Sequence, residues 1–139
     1  MNPFSLIALL LTALGFVSVL AKKSEAEYFY PKGDRPLILA HRGSSGLYPE
    51  HSMPAYRAAY KSGADFIELD LVLSKDGVLF ACHDIKFTSA ICNINEVTKF
   101  ADKKRDDSFY VNDFTISEVK ELRLRQRYDK RPSIYDDQY

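Results

Sequence analysis

Three short stretches carry side chains able to do chemistry together: His41-Arg42-Gly43, Glu68 with Asp70, and His83-Asp84. Glu68 and Asp70 are two residues apart, so an extended strand presents both carboxylates on one face. Two unneutralised carboxylates inside a protein are costly, and a bound divalent cation removes that cost. An all-oxygen donor pair favours Mg²⁺ or Ca²⁺ over zinc. Two imidazoles beside such an ion and a guanidinium describe general acid/base work on an anion, and the forked Arg42 head suits phosphate. Each piece also has a plainer reading. A histidine after a strand is often only a hydrogen-bonding group, and an E-x-D strand is often a solvated face. Arg42 reads equally as a surface cation, and Glu50 and Asp84 as loop carboxylates; spacing does not show whether Asp84 orients His83. The occurrence of all these groups at three successive strand ends favours the chemical reading.

The elements that must position them are short. Leu37 to Ala40 is an apolar run that reads as a buried strand of a parallel sheet. His41 to His51 is a Gly-, Ser- and Pro-containing loop. Met53, Tyr56, Ala59 and Tyr60 then recur at helical spacing, with Ser52 as cap and Gly63 as stop. Phe66 to Leu71 predicts a second strand, Ser74-Lys75-Asp76-Gly77 a turn, and Val78 to Cys82 a third strand. Residues 85–114 have no clean period and read as a long loop or insertion. Thr115 to Glu118 has capping-box spacing and opens a helix through Val119 and Leu122 to about Leu124. The tail from Arg125 to Tyr139 alternates charge and tyrosine without an apolar face. Strand, loop, helix and strand make the opening of an α/β architecture whose sheet these elements do not close, so the chain reads as unfinished at Tyr139.

The whole chain has 139 residues, 19 basic and 19 acidic side chains and 46% hydrophobic content. The zero net charge gives no electrostatic reason to expect nucleic acid as a partner. The hydrophobic content excludes a disordered, solvating composition. Residues 1–21 carry no charged side chain, are apolar from Phe4, and end at Val19-Leu20-Ala21 before Lys22 and Lys23, the pattern of a secretory signal peptide. The reading is therefore secretion, with an uncleaved membrane anchor as the alternative. Residues 22–36 form a leader. Two cysteines, Cys82 and Cys92, are too few for a disulfide scaffold, and a bridge between them is an open question in an exported chain.

The stretches Leu37 to Gly43, Tyr48-Pro49-Glu50-His51-Ser52, Gly63 to Leu71, Ser74 to Gly77 and His83-Asp84, taken in order, resemble the glycerophosphodiester phosphodiesterases. His51-Ser52 stands where that family usually has Asn-Thr. The resemblance implies an α/β fold, the N-terminal part of a TIM-type (β/α)8 barrel, truncated, over residues 37–139 with an insertion at about 85–114. It implies metal-dependent hydrolysis of small-molecule glycerophosphodiesters to sn-glycerol 3-phosphate and an alcohol. His41 and His83 would be the acid/base pair, Arg42 a phosphate ligand, and Glu68 and Asp70 ligands of one Mg²⁺ or Ca²⁺ ion. The family's third metal carboxylate has no matching motif in residues 85–139. The alternatives are a truncated, non-catalytic secreted relative, or a phospholipase D-like lyase acting on choline phospholipids.

Overall fold

The computed structural model describes residues 35–139, and the compact unit considered below is Leu37–Tyr139. The expected signal peptide, and the leader up to residue 34, lie outside the described residues.

The first unit of structure is a parallel βαβ turn. Strand β1, Leu39–His41, pairs in parallel with β2, Phe66–Glu68, and the register sets His41 opposite Glu68. Helix α1, Met53–Lys61, makes the crossover. Its ends follow the local chemistry: the Ser52 hydroxyl accepts from Ala55 N–H at 3.2 Å, Pro54 lies in the first turn, and Gly63 leaves the helix at φ 78°. The buried face is narrower than the sequence spacing implies, since Ala55 and Ala59 are buried while Met53 and Tyr60 are exposed. Small side chains let the helix backbone come close to the Gly43 turn, where Ser44 N–H donates to Ala55 O at 2.9 Å.

The strand expected over Phe66–Leu71 divides. β2 ends at Glu68, and a separate strand β3, Leu71–Leu73, starts after a break of two residues. β3 turns back through Ser74–Gly77 into β4, Leu79–Ala81, as an antiparallel hairpin. Gly77 takes φ 79°, and the Ser74 hydroxyl accepts from Val78 N–H at 3.0 Å. The hairpin returns the chain to its start: Cys82 N–H donates to Asp70 O at 3.1 Å, so His83-Asp84 emerges beside the end of β2. The first two strands are not buried as their apolar sequence suggests. Leu39, Ile38 and Ile67 are exposed, because a two-stranded sheet with one helix has no second layer among the described residues.

The core lies where the sequence shows no period. Cys82, Phe87, Ile91, Cys92, Ile94, Phe100, Phe109, Val111, Phe114 and Leu122 form one buried cluster, most of it within residues 85–114. Strands β5, Lys86–Phe87, and β6, Phe109–Tyr110, pair antiparallel, and 3-10 turns carry the chain between them. The aromatic centre is Phe114, fully buried, with the rings of Phe87 and Phe100 edge-on at 5.2 Å and that of Phe109 at 6.4 Å. Isolated apolar residues spaced by turns pack by tertiary contact, so no helical or strand period marks them in sequence.

Helix α2, Ile116–Val119, has the expected reciprocal capping box between Thr115 and Glu118 but runs a single turn. The chain leaves it so that Leu122 enters the core and Arg123 N–H reaches Asn93 Oδ1. Arg125 N–H donates to Ile91 O at 2.8 Å, which fixes the start of the tail on the core. Both cysteines are buried free thiols and no disulfide joins them.

Candidate active site

The loop after β1 turns sharply through two left-handed residues, Arg42 at φ 60° and Gly43 at φ 82°. A side chain on Gly43 would stand 2.8 Å from the backbone carbon of Ala55, so glycine is required by both conformation and space. The turn aims the Arg42 backbone N–H at Glu68 Oε2, at 3.0 Å, across the parallel pair. His41, the strand partner of Glu68, places Nε2 4.0 Å from the same oxygen and is largely exposed.

The Arg42 side chain is buried between two carboxylates. NH1 donates to Glu50 Oε2 at 3.1 Å, and Nε lies 3.3 Å from Asp70 Oδ2 without hydrogen-bond alignment. The Nε–H is thus a buried donor without an aligned acceptor, held against Asp70 by charge alone. Asp70 Oδ2 also meets His51 Nε2 at 3.1 Å, while His51 Nδ1 pairs with Tyr56 Oη at 2.8 Å. A carboxylate only accepts, so the His51 proton sits on Nε2 and Nδ1 accepts from the tyrosine. Burial pushes the His51 imidazole below its ordinary value, against the opposing pull of Asp70 and Glu50.

His83 is held from the other side. Its Nδ1 is 2.7 Å from Asp84 Oδ1, which leaves Nε2 as the ring nitrogen with a lone pair. Asp84 Oδ2 accepts from Arg127 NH2 at 2.7 Å, and Arg127 also donates to Glu50 Oε1 from Nε at 2.9 Å and NH2 at 2.6 Å. Burial pushes the Glu50 carboxyl up, but Arg127 and Arg42 together override it and hold the group below the ordinary range. Asp84 is likewise held down, burial being outweighed by His83 and Arg127. The same carboxylates raise the Arg127 guanidinium against its own burial.

His41, Arg42, Glu68 and Asp70 are thus in one set of contacts, and His83 joins them through Asp84, Arg127 and Glu50. Glu68 and Asp70 do not share a strand: Glu68 ends β2 and Asp70 lies in the break before β3. They converge through Arg42, not through strand alternation. Glu50, His51 and Arg127 were not among the sequence candidates for the site. His51 adjoins the helix cap and had a local signal; Arg127 lies in a tail whose sequence carries none.

Glu68 and Asp70 are the carboxylates that a hard divalent cation would use. Glu68 Oε1 and Asp70 Oδ1 have no protein hydrogen-bond donor among the described residues, and both side chains are about one-third exposed. Two carboxylates with access to water and an anionic ligand suit Mg²⁺ or Ca²⁺. No cluster of three or more His, Cys, Asp or Glu in metal-binding array occurs among the described residues. Glu68 and Asp70 would supply two of the oxygen ligands of such an ion.

A family model described as the glycerophosphoryl diester phosphodiesterase family matches residues 41–138. Glycerophosphodiester phosphodiesterase GDPD6 of Arabidopsis thaliana is 37% identical over 99% of this chain and 40% of its own length. A crystal structure of glycerophosphodiester phosphodiesterase from Agrobacterium tumefaciens is 31% identical with TM-score 0.50, over 63% of this chain and 32% of that one. A crystal structure from Silicibacter pomeroyi, 19% identical, matches in fold at TM-score 0.60 over 75% of this chain and 34% of that one. The chain spans 32% to 40% of the length of these relatives. Its architecture is that of the N-terminal portion of a TIM-type barrel.

Proposed function

The chain belongs to the glycerophosphoryl diester phosphodiesterase family, and from that premise we propose that its site serves metal-dependent hydrolysis of glycerophosphodiesters to sn-glycerol 3-phosphate and an alcohol. The observation that carries this reading is the position of Arg42. Its backbone N–H holds Glu68, and its buried guanidinium stands between Glu50 and Asp70 with Nε–H directed at no aligned acceptor. A guanidinium carries five N–H donors, and those not committed to Glu50 or Asp70 suit a phosphodiester oxygen.

Glu68 and Asp70 are the residues that would hold Mg²⁺ or Ca²⁺, and a bound ion would supply positive charge to the phosphoryl oxygens. The protein's own part is proton handling and orientation. His83 offers Nε2 because Asp84 occupies Nδ1, which suits a base that takes a proton from the attacking water. His41, exposed beside Glu68, is the complementary group that gives a proton to the leaving alcohol oxygen as its bond to phosphorus breaks. His51, with both ring nitrogens engaged, orients Asp70 and takes no proton itself. Export by the leading apolar segment belongs to the same proposal; N-terminal sequencing of protein recovered from the secretory route is expected to begin at Lys22.

The test is release of sn-glycerol 3-phosphate from glycerophosphocholine by the full-length protein, with and without chelator. Chelator-sensitive release, reduced roughly 10²- to 10⁴-fold by His41→Ala or His83→Ala, is expected. Absence of release, release indifferent to chelator, or preferential cleavage of sphingomyelin overturns the reading.

A further inference from the structure

Between the two loops that carry the histidines runs a chain of alternating charges, and its central member comes from the tail. Arg42 meets Glu50 Oε2; Glu50 Oε1 meets Arg127; Arg127 meets Asp84 Oδ2; Asp84 Oδ1 meets His83 Nδ1. Each carboxylate gives one oxygen to each neighbour, so neither can serve both without the guanidinium between them. Arg127 is mostly buried, as is Glu50, and its NH2 reaches both acids at 2.6 and 2.7 Å. The tail has no apolar face, yet several contacts hold it on the Arg42 loop. Gln126 Nε2 donates to Ser45 O and Tyr48 O, Arg131 donates to Ser45 O, and the ring of Tyr135 stacks on Tyr48 at 4.5 Å.

We infer that Arg127 is a positioning residue for the reaction, setting through Asp84 the ring orientation of His83 and through Glu50 the placement of Arg42. The inference rests on the function proposed above. A guanidinium fork has the geometry to bind two carboxylates in a fixed plane, whereas an ammonium supplies a point charge without that plane. Loss of the fork frees Asp84 to rotate, and the His83 Nδ1–H loses its fixed acceptor. Small misplacements of this kind cost roughly 10²-fold in rate even when no reacting group is removed.

Arg127→Gln and Arg127→Lys in the full-length protein test it, with two readouts. In steady-state kinetics on glycerophosphocholine, Arg127→Lys is expected to lower kcat about 10-fold and Arg127→Gln about 10²-fold. Arg127→Gln combined with Asp84→Asn is expected to lose less than the product of the two single losses, since the two variants share the route through His83. In ¹⁵N NMR of the imidazoles at alkaline pH, the parent is expected to show His83 as the Nδ1–H tautomer, and the variants a mixture. If Arg127→Gln does not fold, Arg127→Lys, which keeps the charge beside Glu50, decides. A kcat within twofold of the parent together with an unchanged His83 tautomer overturns the inference and leaves Arg127 only tying down the tail. Should the parent release no glycerol phosphate, the proposed function fails, and the tautomer readout still decides whether Arg127 positions His83.

Discussion

The imidazole of His51 is wedged between Tyr56 Oη at 2.8 Å and Asp70 Oδ2 at 3.1 Å, on a backbone held at φ 61°. Its proton and its lone pair are both used, so it acts as a rigid spacer between helix α1 and the carboxylate before β3. His51→Ala removes both partners' hydrogen bonds and puts alanine in the left-handed region. A loss of about 2–4 kcal/mol in chemical denaturation is expected. Asparagine tolerates that backbone and keeps a donor, so His51→Asn is expected to recover at least half of the loss.

Gly43 faces the backbone of Ala55 with no room for a methyl group. Gly43→Ala meets both a close contact and a positive φ. It is expected to destabilise by at least about 2 kcal/mol and to displace the Arg42 turn. Thermal unfolding checks the first part. The second is read as weaker anion binding in titration with glycerol phosphate, and unchanged binding by a folded variant would refute it.

Phe114 is the ring on which residues 85–114 and the hairpin turn close. Its side chain touches Phe87, Phe100 and Phe109, while its carbonyl accepts from Lys75 N–H at 2.8 Å. Phe114→Ala is expected to cost about 3–5 kcal/mol. Phe114→Leu, which keeps most of the volume, should cost less than half as much in the same urea titration.

Cys82 and Cys92 are free and buried, and burial pushes both thiols up to about 11 from an ordinary 9. Alkylation by iodoacetamide at pH 8 is expected to be slow in the folded chain and rapid in denaturant. The folded chain keeps these protons where the unfolded chain loses them. Stability is therefore expected to fall as pH rises from about 9 to about 11. A Cys82→Ser, Cys92→Ser double variant should show a flatter profile across that window.

At the acid end, Glu118 and Glu50 act in the opposite sense. The Thr115 backbone N–H, with Lys103, holds Glu118 below its ordinary 4.5, and the two arginines hold Glu50 below it despite burial. Their contribution is present above about pH 4.5 and is lost as pH falls through the lowered folded values. Denaturation midpoints measured from pH 7 to pH 3 are expected to drop below 4.5. Glu118→Gln should have the smaller drop, and an identical acid limb would remove Glu118 from the account.

Much of the fold was legible locally. Ser52 and Gly63 bounded α1, Asp76-Gly77 marked the hairpin turn, and Thr115 with Glu118 marked the capping box, because caps and turns are chemistry within four residues. The break between Glu68 and Asp70 was not legible. The alternation of Ile67, Leu69 and Leu71 continues through it, and only the hairpin that pairs Leu71 with Ala81 shows where one strand stops. The core within residues 85–114 was hidden for a related reason: its phenylalanines meet one another across turns, and no period records such contacts.

By itself the sequence determined the chemical inventory: two histidines, an arginine and two carboxylates at strand ends, the helix caps, and the family. Their residue types and order are local properties of the chain. Only the tertiary structure decided how these groups meet. Arg42 joins Glu68 to Asp70, His51 meets the same Asp70 oxygen as Arg42, and Arg127 reaches back from the tail to both Glu50 and Asp84 between the two histidine loops. Those pairings span up to 77 residues, and long-range ion pairs in irregular segments leave no spacing pattern because nothing periodic creates them.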